Sequence, residues 1–134
     1  MTDHVPDPAL DYAALLRRVH ERLPGVQGVW LFGSRARGDA REDSDIDLAV
    51  LGPTAFDPVL VFDLGLELGV LASRDVDLVD LRAASTVLRK EALHGGRLLS
   101  CLDRAACEAF LADSMALYVA FRDELALASR DART

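Results

Sequence analysis

Apolar residues recur at helical spacing near the start of the chain. One stripe of a helix would be formed by Tyr12, Leu15, Leu16, Val19 and Leu23. Asp7 followed by Pro8 predicts the beginning of this helix, because aspartate is a good N-cap and proline fits the first turn. Pro24 and Gly25 predict its end. The β-branched and aromatic run at residues 26–32 then predicts a buried strand.

Two later segments alternate between polar and apolar residues, which is the period of a β-strand. In residues 44–51 one face carries Asp45, Asp47 and Ala49, and the other carries Ile46, Leu48 and Val50. In residues 74–81 one face carries Asp75, Asp77 and Val79, and the other carries Val76, Leu78 and Asp80. Both segments are therefore predicted to be strands that present aspartates on one face.

The other periodic segments predict helices. Asp57 and Pro58 mark a helix start, and the buried stripe of that helix is predicted to contain Leu60, Leu64, Leu68 and Leu71. Residues 84–93 predict a short helix that ends at Gly95 and Gly96. A longer helix, at about residues 103–129, has one face with Phe110, Leu117, Phe121 and Leu125. The order helix, strand, strand, helix, strand, helices predicts an α/β (α+β) fold with a small mixed sheet and helices packed on one side.

Composition narrows the class of protein. The chain has 134 residues, of which 51% are hydrophobic, so we expect one domain over residues 1–134 with its core at residues 9–100. The formal net charge of −7 disfavours tight binding to nucleic acid or to an anionic membrane. No segment resembles a secretory signal or a membrane span, and Cys101 and Cys107 fit neither a disulfide framework nor a zinc pattern. We therefore expect a cytoplasmic protein with two reduced, structural cysteines.

Gly33 and Ser34 lie between the first predicted strand and a polar segment. A strand that ends there and enters a helical turn exposes backbone N–H groups that can donate to a phosphate. Glycine lets the phosphate approach the main chain, and the Ser34 hydroxyl adds a donor. Arg35 and Arg37 are candidates for the distal phosphates of a triphosphate. A Gly-Ser pair alone is also typical of an ordinary turn, so the phosphate-binding prediction needs support from residues further along the chain.

Asp45 and Asp47 complete the pattern G-S-x10-D-x-D. Two such carboxylates on one strand face, about 5 Å apart at an effective dielectric near 20, would repel by about 3 kcal/mol. A cation relieves that repulsion, and Mg²⁺ prefers oxygen ligands. Asp77 would join the pair if the third strand lies beside the second, and it could also accept the proton of an attacking hydroxyl. Asp45, Asp47 and Asp77 are therefore the predicted metal-binding and catalytic residues; solvated aspartates on an exposed strand are the alternative.

The segment LFGSRARGD…SDIDLAV, together with the later DVDLVDL, resembles the minimal nucleotidyltransferases of the DNA polymerase β superfamily, in particular the MntA-type antitoxins of HEPN/MNT toxin–antitoxin modules. The resemblance covers residues 31–81 and, more loosely, the later segment HGGRLLS. It implies a polymerase β-like fold and Mg²⁺-dependent transfer of AMP from ATP to a tyrosine of a partner, a helical HEPN-domain ribonuclease toxin. The family motifs match Gly33, Ser34 and Arg37 for the nucleotide and Asp45, Asp47 and Asp77 for the metal.

Two other functions would use the same residues. One is transfer to a small molecule such as an aminoglycoside, and the other is non-catalytic neutralisation of the partner by occlusion. Arg89 and His94 form the pattern R-x4-H found in the toxins, but on a straight helix they would point about 140° apart, so we do not expect them to form a ribonuclease site. Tyr12 and Tyr118 lie on apolar helical stripes and are predicted to be core or interface residues.

Overall fold

The computed structural model describes residues 10–133. Within these residues the elements are α1 (Tyr12–Arg22), β1 (Gly28–Phe32), α2 (Ser34–Arg37), β2 (Ile46–Leu51), α3 (Pro58–Ala72), β3 (Val76–Asp80), α4 (Thr86–His94), β4 (Arg97–Cys101) and α5 (Arg104–Arg133). No helix in this part of the chain combines the length and the apolar character needed to cross a bilayer.

A single four-stranded sheet with the order β3-β2-β1-β4 positions the rest of the fold. β1 is antiparallel to both of its neighbours, whereas β2 and β3 are parallel and are connected through α3. The register pairs Phe32 with Asp47 and Asp47 with Asp77. The C-terminal end of β1 and the aspartates of β2 and β3 therefore lie in one row across the sheet.

Helices cover both faces of the sheet. Val29 and Leu31, together with Ile46, Leu48 and Val50 of β2, pack against α1 and α3. Trp30 and Phe32 face the other way and pack against α4 and α5. The predicted fold class is confirmed, but coverage on one side only is not. All five residues of β1 are buried, as in strands covered on both faces, and the run at residues 26–32 shows no alternation.

Several element boundaries differ from the prediction. The described part of α1 begins at Tyr12, where the Asp11 carboxylate accepts a hydrogen bond from the Ala14 N–H (3.0 Å); Asp7 and Pro8 lie outside the described residues. β4 is not predicted, because R-L-L-S-C has no alternation and comes directly after two glycines. In α3, Val61 is buried, whereas Leu71 is 48% exposed.

The long helix α5 is confirmed, but most of its apolar face is not buried. Phe110 lies in the core, while Leu117, Phe121 and Leu125 are exposed. The first part of α5 packs against the sheet through Cys107, Phe110 and the partly buried Met115. Helical spacing identified the stripe correctly, but spacing alone does not tell a buried stripe from one that is left uncovered.

Candidate active site

Gly33 connects β1 to α2 in a conformation that favours glycine, with φ of 72°. A Cβ atom at this position would also collide with the carboxylate of Asp47. The close approach follows from the register, because Asp47 is paired with the preceding residue, Phe32. Glycine is thus required twice here, by its backbone angle and by the neighbouring carboxylate, and Ser34 begins α2 directly beside it.

Asp47 and Asp77 are paired residues of adjacent parallel strands, whose backbones lie about 4.8 Å apart. Partial burial and then the charges of Asp77 and Asp45 raise the pKa of Asp47 from 3.8 to about 6, while Arg37 acts in the opposite direction. The Asp47 carboxylate therefore lies in an environment that favours a proton or a cation. Asp77 is exposed, so this environment is open to solvent.

Asp45 precedes β2 and is exposed. Its charge affects the pKa of Asp47, but its side chain lines a neighbouring surface cavity beside Arg74 and Asp75. Among the described residues no three acidic, histidine or cysteine side chains are close enough together to hold one ion as a set. The structure therefore brings Asp47 and Asp77 together in one cavity and places Asp45 at its margin.

Arg35 does not lie where a phosphate-binding role requires it. Its side chain is buried, 3% exposed, and its guanidinium donates to the carbonyls of Ser44 (2.6 Å), Glu42 (3.0 Å) and Arg41 (3.3 Å). Arg74 donates to the same Glu42 carbonyl (2.7 Å). The predicted nucleotide contact of Arg35 is therefore corrected: this arginine holds the loop that leads into β2 by donating to three of its carbonyls.

Arg37 lies on the exposed side of α2. Together with Gly33, Asp47 and Asp77 it lines a cavity of about 430 Å³, and its Nε donates to the Asp39 carboxylate (3.3 Å). The two arginines of α2 thus have separate surroundings, one inside the loop and one at the mouth of the cavity. The sequence pattern did not distinguish them, since both are charged residues of one short helix.

Comparison with known proteins gives the family of the chain. Residues 16–105 match the family model described as polymerase beta, nucleotidyltransferase. The chain belongs to this nucleotidyltransferase family. The matched segment runs from α1 to the start of α5 and includes the entire sheet.

Relatives of this nucleotidyltransferase include proteins that act on other proteins. Over 85 residues it is 38% identical to the protein adenylyltransferase MntA of Shewanella oneidensis, an alignment that spans 63% of this chain and 61% of that relative. It also resembles a chain in the crystal structure of a toxin–antitoxin with AMP-PNP (TM-score 0.84, 30% identity, 93% of this chain and 100% of that one). A third match is to the structure of the tri-AMPylated Shewanella oneidensis HEPN toxin in complex with MNT antitoxin (TM-score 0.76, 29% identity, 91% and 95%).

The candidate site contains residues that the sequence analysis did not assign to it. Lys90, Glu91 and His94, all from the C-terminal half of α4, line the same cavity as Asp47 and Asp77. They reach the cavity because β4, which follows α4, pairs antiparallel with β1. This pairing places the C-terminal end of α4 beside Phe32, at the end of β1. Gly96 makes this turn possible, since a Cβ there would collide with the Ala92 carbonyl. Without β4, no sequence signal places α4 beside the aspartates.

Two further charged residues, Asp80 and Arg89, do not line the cavity. The buried Asp80 accepts hydrogen bonds from the N–H groups of Phe56 (2.7 Å) and Arg82 (3.0 Å). Arg89 donates to the carbonyls of Leu81 (2.8 Å) and Arg82 (3.0 Å), away from His94, which lines the cavity. Arg89 and His94 therefore do not act as a pair.

Proposed function

We propose that this chain is a Mg²⁺-dependent nucleotidyltransferase that transfers AMP from ATP to a tyrosine hydroxyl of a HEPN-domain toxin and thereby acts as its antitoxin. The observation that carries the proposal is the registered pair of Asp47 and Asp77 directly beside Gly33. The similarity to MntA and to toxin–antitoxin complexes supports the acceptor class.

The acidic residues suit a divalent cation. Asp45, Asp47 and Asp77 supply hard oxygen donors, and the raised pKa of Asp47 reflects first its partial burial and then the negative charges of Asp77 and Asp45. We assign metal binding to Asp47 and Asp77, with Asp45 contributing from the exposed margin. When bound, Mg²⁺ would neutralise charge on the phosphates and on the leaving group.

The nucleotide is assigned to the junction of β1 and α2. There the main chain of Gly33 is accessible to a phosphate, and the Ser34 hydroxyl and N–H lie at the beginning of the helix. Arg37, at the mouth of the cavity, is assigned to the β- and γ-phosphates. Arg35 is left out of this set, because its guanidinium already donates to three loop carbonyls.

The proposed reaction is a displacement at the α-phosphorus of ATP. The acceptor oxygen forms a bond to this phosphorus, and the bond from it to the oxygen that bridges the α- and β-phosphates breaks. Pyrophosphate leaves with the electron pair of that bond. The hydroxyl proton passes to a carboxylate, for which we propose Asp77, because it is exposed and therefore open to the acceptor. Positioning and charge stabilisation are expected to supply most of the rate.

The direct test is to incubate the purified chain with labelled ATP, Mg²⁺ and a HEPN-domain protein from the same genome, and then to measure intact mass and map the labelled peptides. The proposal expects AMP on a tyrosine of the HEPN protein and a loss of labelling with Asp47→Asn. Asp113→Asn, a carboxylate change at an exposed position of α5, is the matched control. Labelling of a small-molecule hydroxyl instead, or equal labelling by Asp47→Asn, would contradict the assignment.

A further inference from the structure

The outer side of α3 carries an uncovered apolar stripe. Val59, Phe62, Leu66 and Val70 are 66%, 66%, 58% and 81% exposed. At 100° per residue these four positions lie within an arc of about 80°, so they form one continuous strip of the helix. Isolated exposed apolar residues are common on protein surfaces, but a strip of four such residues marks an interaction surface.

This strip borders a groove that leads to the candidate active site. Phe62 and Leu66 line one cavity of about 150 Å³ together with Val76, Leu78 and Asp77. Leu66 and Val70 line an adjoining cavity of about 510 Å³ that runs along Asp75 and Val76. Asp77 also lines the cavity of about 430 Å³ that contains Gly33 and Asp47. The groove and the active site therefore share one carboxylate.

The floor of the groove is β3, an edge strand that α3 approaches closely through Gly65 and Gly69. β3 has β2 on one side and, among the described residues, no strand on the other. Ile46 N–H donates to the Asp75 carbonyl (2.9 Å), and Leu81 N–H donates to the Val50 carbonyl (2.9 Å). Because a parallel ladder uses every second residue, the N–H and C=O groups of Val76 and Leu78 face outward. An extended chain can pair with such an edge.

We propose that this edge and the α3 strip dock an extended segment of the acceptor protein, adding a strand beside β3. The inference rests on the proposed function, because it assigns the place where the protein acceptor lies. In an added strand, alternate side chains would pack on Phe62 and Leu66, and the intervening side chains would lie on the face of Asp77. The segment that this arrangement selects has a hydroxyl residue flanked on both sides by apolar residues.

The size of the groove favours a segment over a whole apolar interface. An extended chain of about five residues matches the length of β3, which has five residues. A stable dimer needs about 800 Å² from each partner, far more than four side chains supply. Main-chain hydrogen bonds to Val76 and Leu78 would provide affinity, and the apolar contacts would set the register of the hydroxyl against Asp77.

The test compares binding of a HEPN-domain protein from the same genome to wild type, Leu66→Glu and Val76→Pro, without nucleotide. Leu66 is exposed, so glutamate does not disturb the core. Proline at position 76 removes an outward N–H and is tolerated in edge strands, but it also replaces a valine side chain that packs against the core, so urea denaturation checks that this variant is folded. Each variant is expected to weaken binding by about tenfold or more, as for central interface residues. Leu125→Glu, an exposed apolar position on α5, is the matched control.

The same variants are then compared in AMP transfer. The proposal expects a higher KM for the acceptor with an unchanged KM for ATP. If the wild-type protein binds the acceptor but transfers no AMP, the proposed function is refuted. The affinities of the variants for the acceptor would still show whether the docking surface is correct. Three results would overturn the proposal. The first is unchanged affinity in Leu66→Glu and Val76→Pro, and the second is a loss of affinity only in Leu125→Glu. The third is a wild-type dimer that Leu66→Glu dissociates with no effect on acceptor binding.

Discussion

Replacing Asp47 by asparagine should stabilise the protein near neutral pH while removing activity. In the folded state the pKa of Asp47 is raised from 3.8 to about 6, by partial burial and by its acidic neighbours. Each pKa unit corresponds to about 1.4 kcal/mol, which gives an upper bound of about 3 kcal/mol. Because the carboxylate is partly exposed, solvent screening reduces the expected gain to about 1–2 kcal/mol.

The gain should depend on pH with a defined sign. A carboxylate whose pKa is raised by folding contributes stability that is fully present below its unfolded pKa and is lost as the pH rises through the folded pKa. Asparagine cannot ionise, so the variant should match wild type near pH 4, become more stable between about pH 4 and pH 6, and keep a constant advantage above about pH 7. Urea denaturation across this range measures the difference in the free energy of unfolding.

The control is Asp63→Asn, which makes the same change to the net charge of −7 at an exposed position of α3. If Asp47→Asn is no more stable than Asp63→Asn at pH 7.5, the carboxylate repulsion inferred at the site is wrong. Mg²⁺ gives an independent readout, because a ligand that binds only the folded state raises its stability. Mg²⁺ should raise the urea midpoint of unfolding of the wild-type protein and should raise that of Asp47→Asn less.

The surroundings of single side chains support three further predictions. Asp45→Asn should lose AMP transfer with the fold intact, and if it still neutralises the partner toxin in growth assays, occlusion rather than modification is the mechanism. Arg35→Ala should lower the free energy of unfolding in urea by about 3 kcal/mol, because it removes a buried side chain that donates to several carbonyls. Arg37→Ala should weaken ATP binding without a loss of stability. Equal stabilities of the two variants would contradict the separate roles of these arginines. Burial, and then contact with Cys101, raise the pKa of the Cys107 thiol to about 12, so iodoacetamide at pH 8.5 should label Cys107 only after unfolding. Peptide mapping separates it from the less buried Cys101, and rapid labelling of Cys107 in the native protein would refute the prediction.

Local patterns were sufficient for the elements that carry the aspartates. In β2 and β3 one face packs against α1 and α3 and the other holds Asp47 or Asp77, as the alternation predicts, although Ala49 and Leu51 on the Asp47 face of β2 are buried as well. The Asp57 cap of α3 was also predictable, since an aspartate before proline satisfies a free N–H of the first turn. The assignments of Asp45, Asp47 and Asp77 to the metal, and of Gly33, Ser34 and Arg37 to the nucleotide, stay predictions.

Features that depend on distant contacts were not predictable. The sequence of β4 shows no alternation of polar and apolar residues, and its pairing with β1 is a long-range contact. Missing this strand also concealed Glu91 and His94, which reach the cavity only through it. The separation of Arg35 from Arg37 depends on loop carbonyls up to nine residues further along the chain. None of these contacts produces a periodic pattern of polar and apolar residues in the sequence.

The packing around β2 explains how the fold tolerates repelling carboxylates. Five of the six residues of this strand are buried, and Asp47 is the exception. Burying a leucine or an isoleucine contributes about 2 kcal/mol, so Ile46 and Leu48 together outweigh the cost of about 1–2 kcal/mol for ionised Asp47. The strand therefore cannot move to relieve the repulsion, and the carboxylates stay in position. A divalent cation would then bind carboxylates that the core already holds in place. Its binding would relieve their repulsion and so stabilise the folded state.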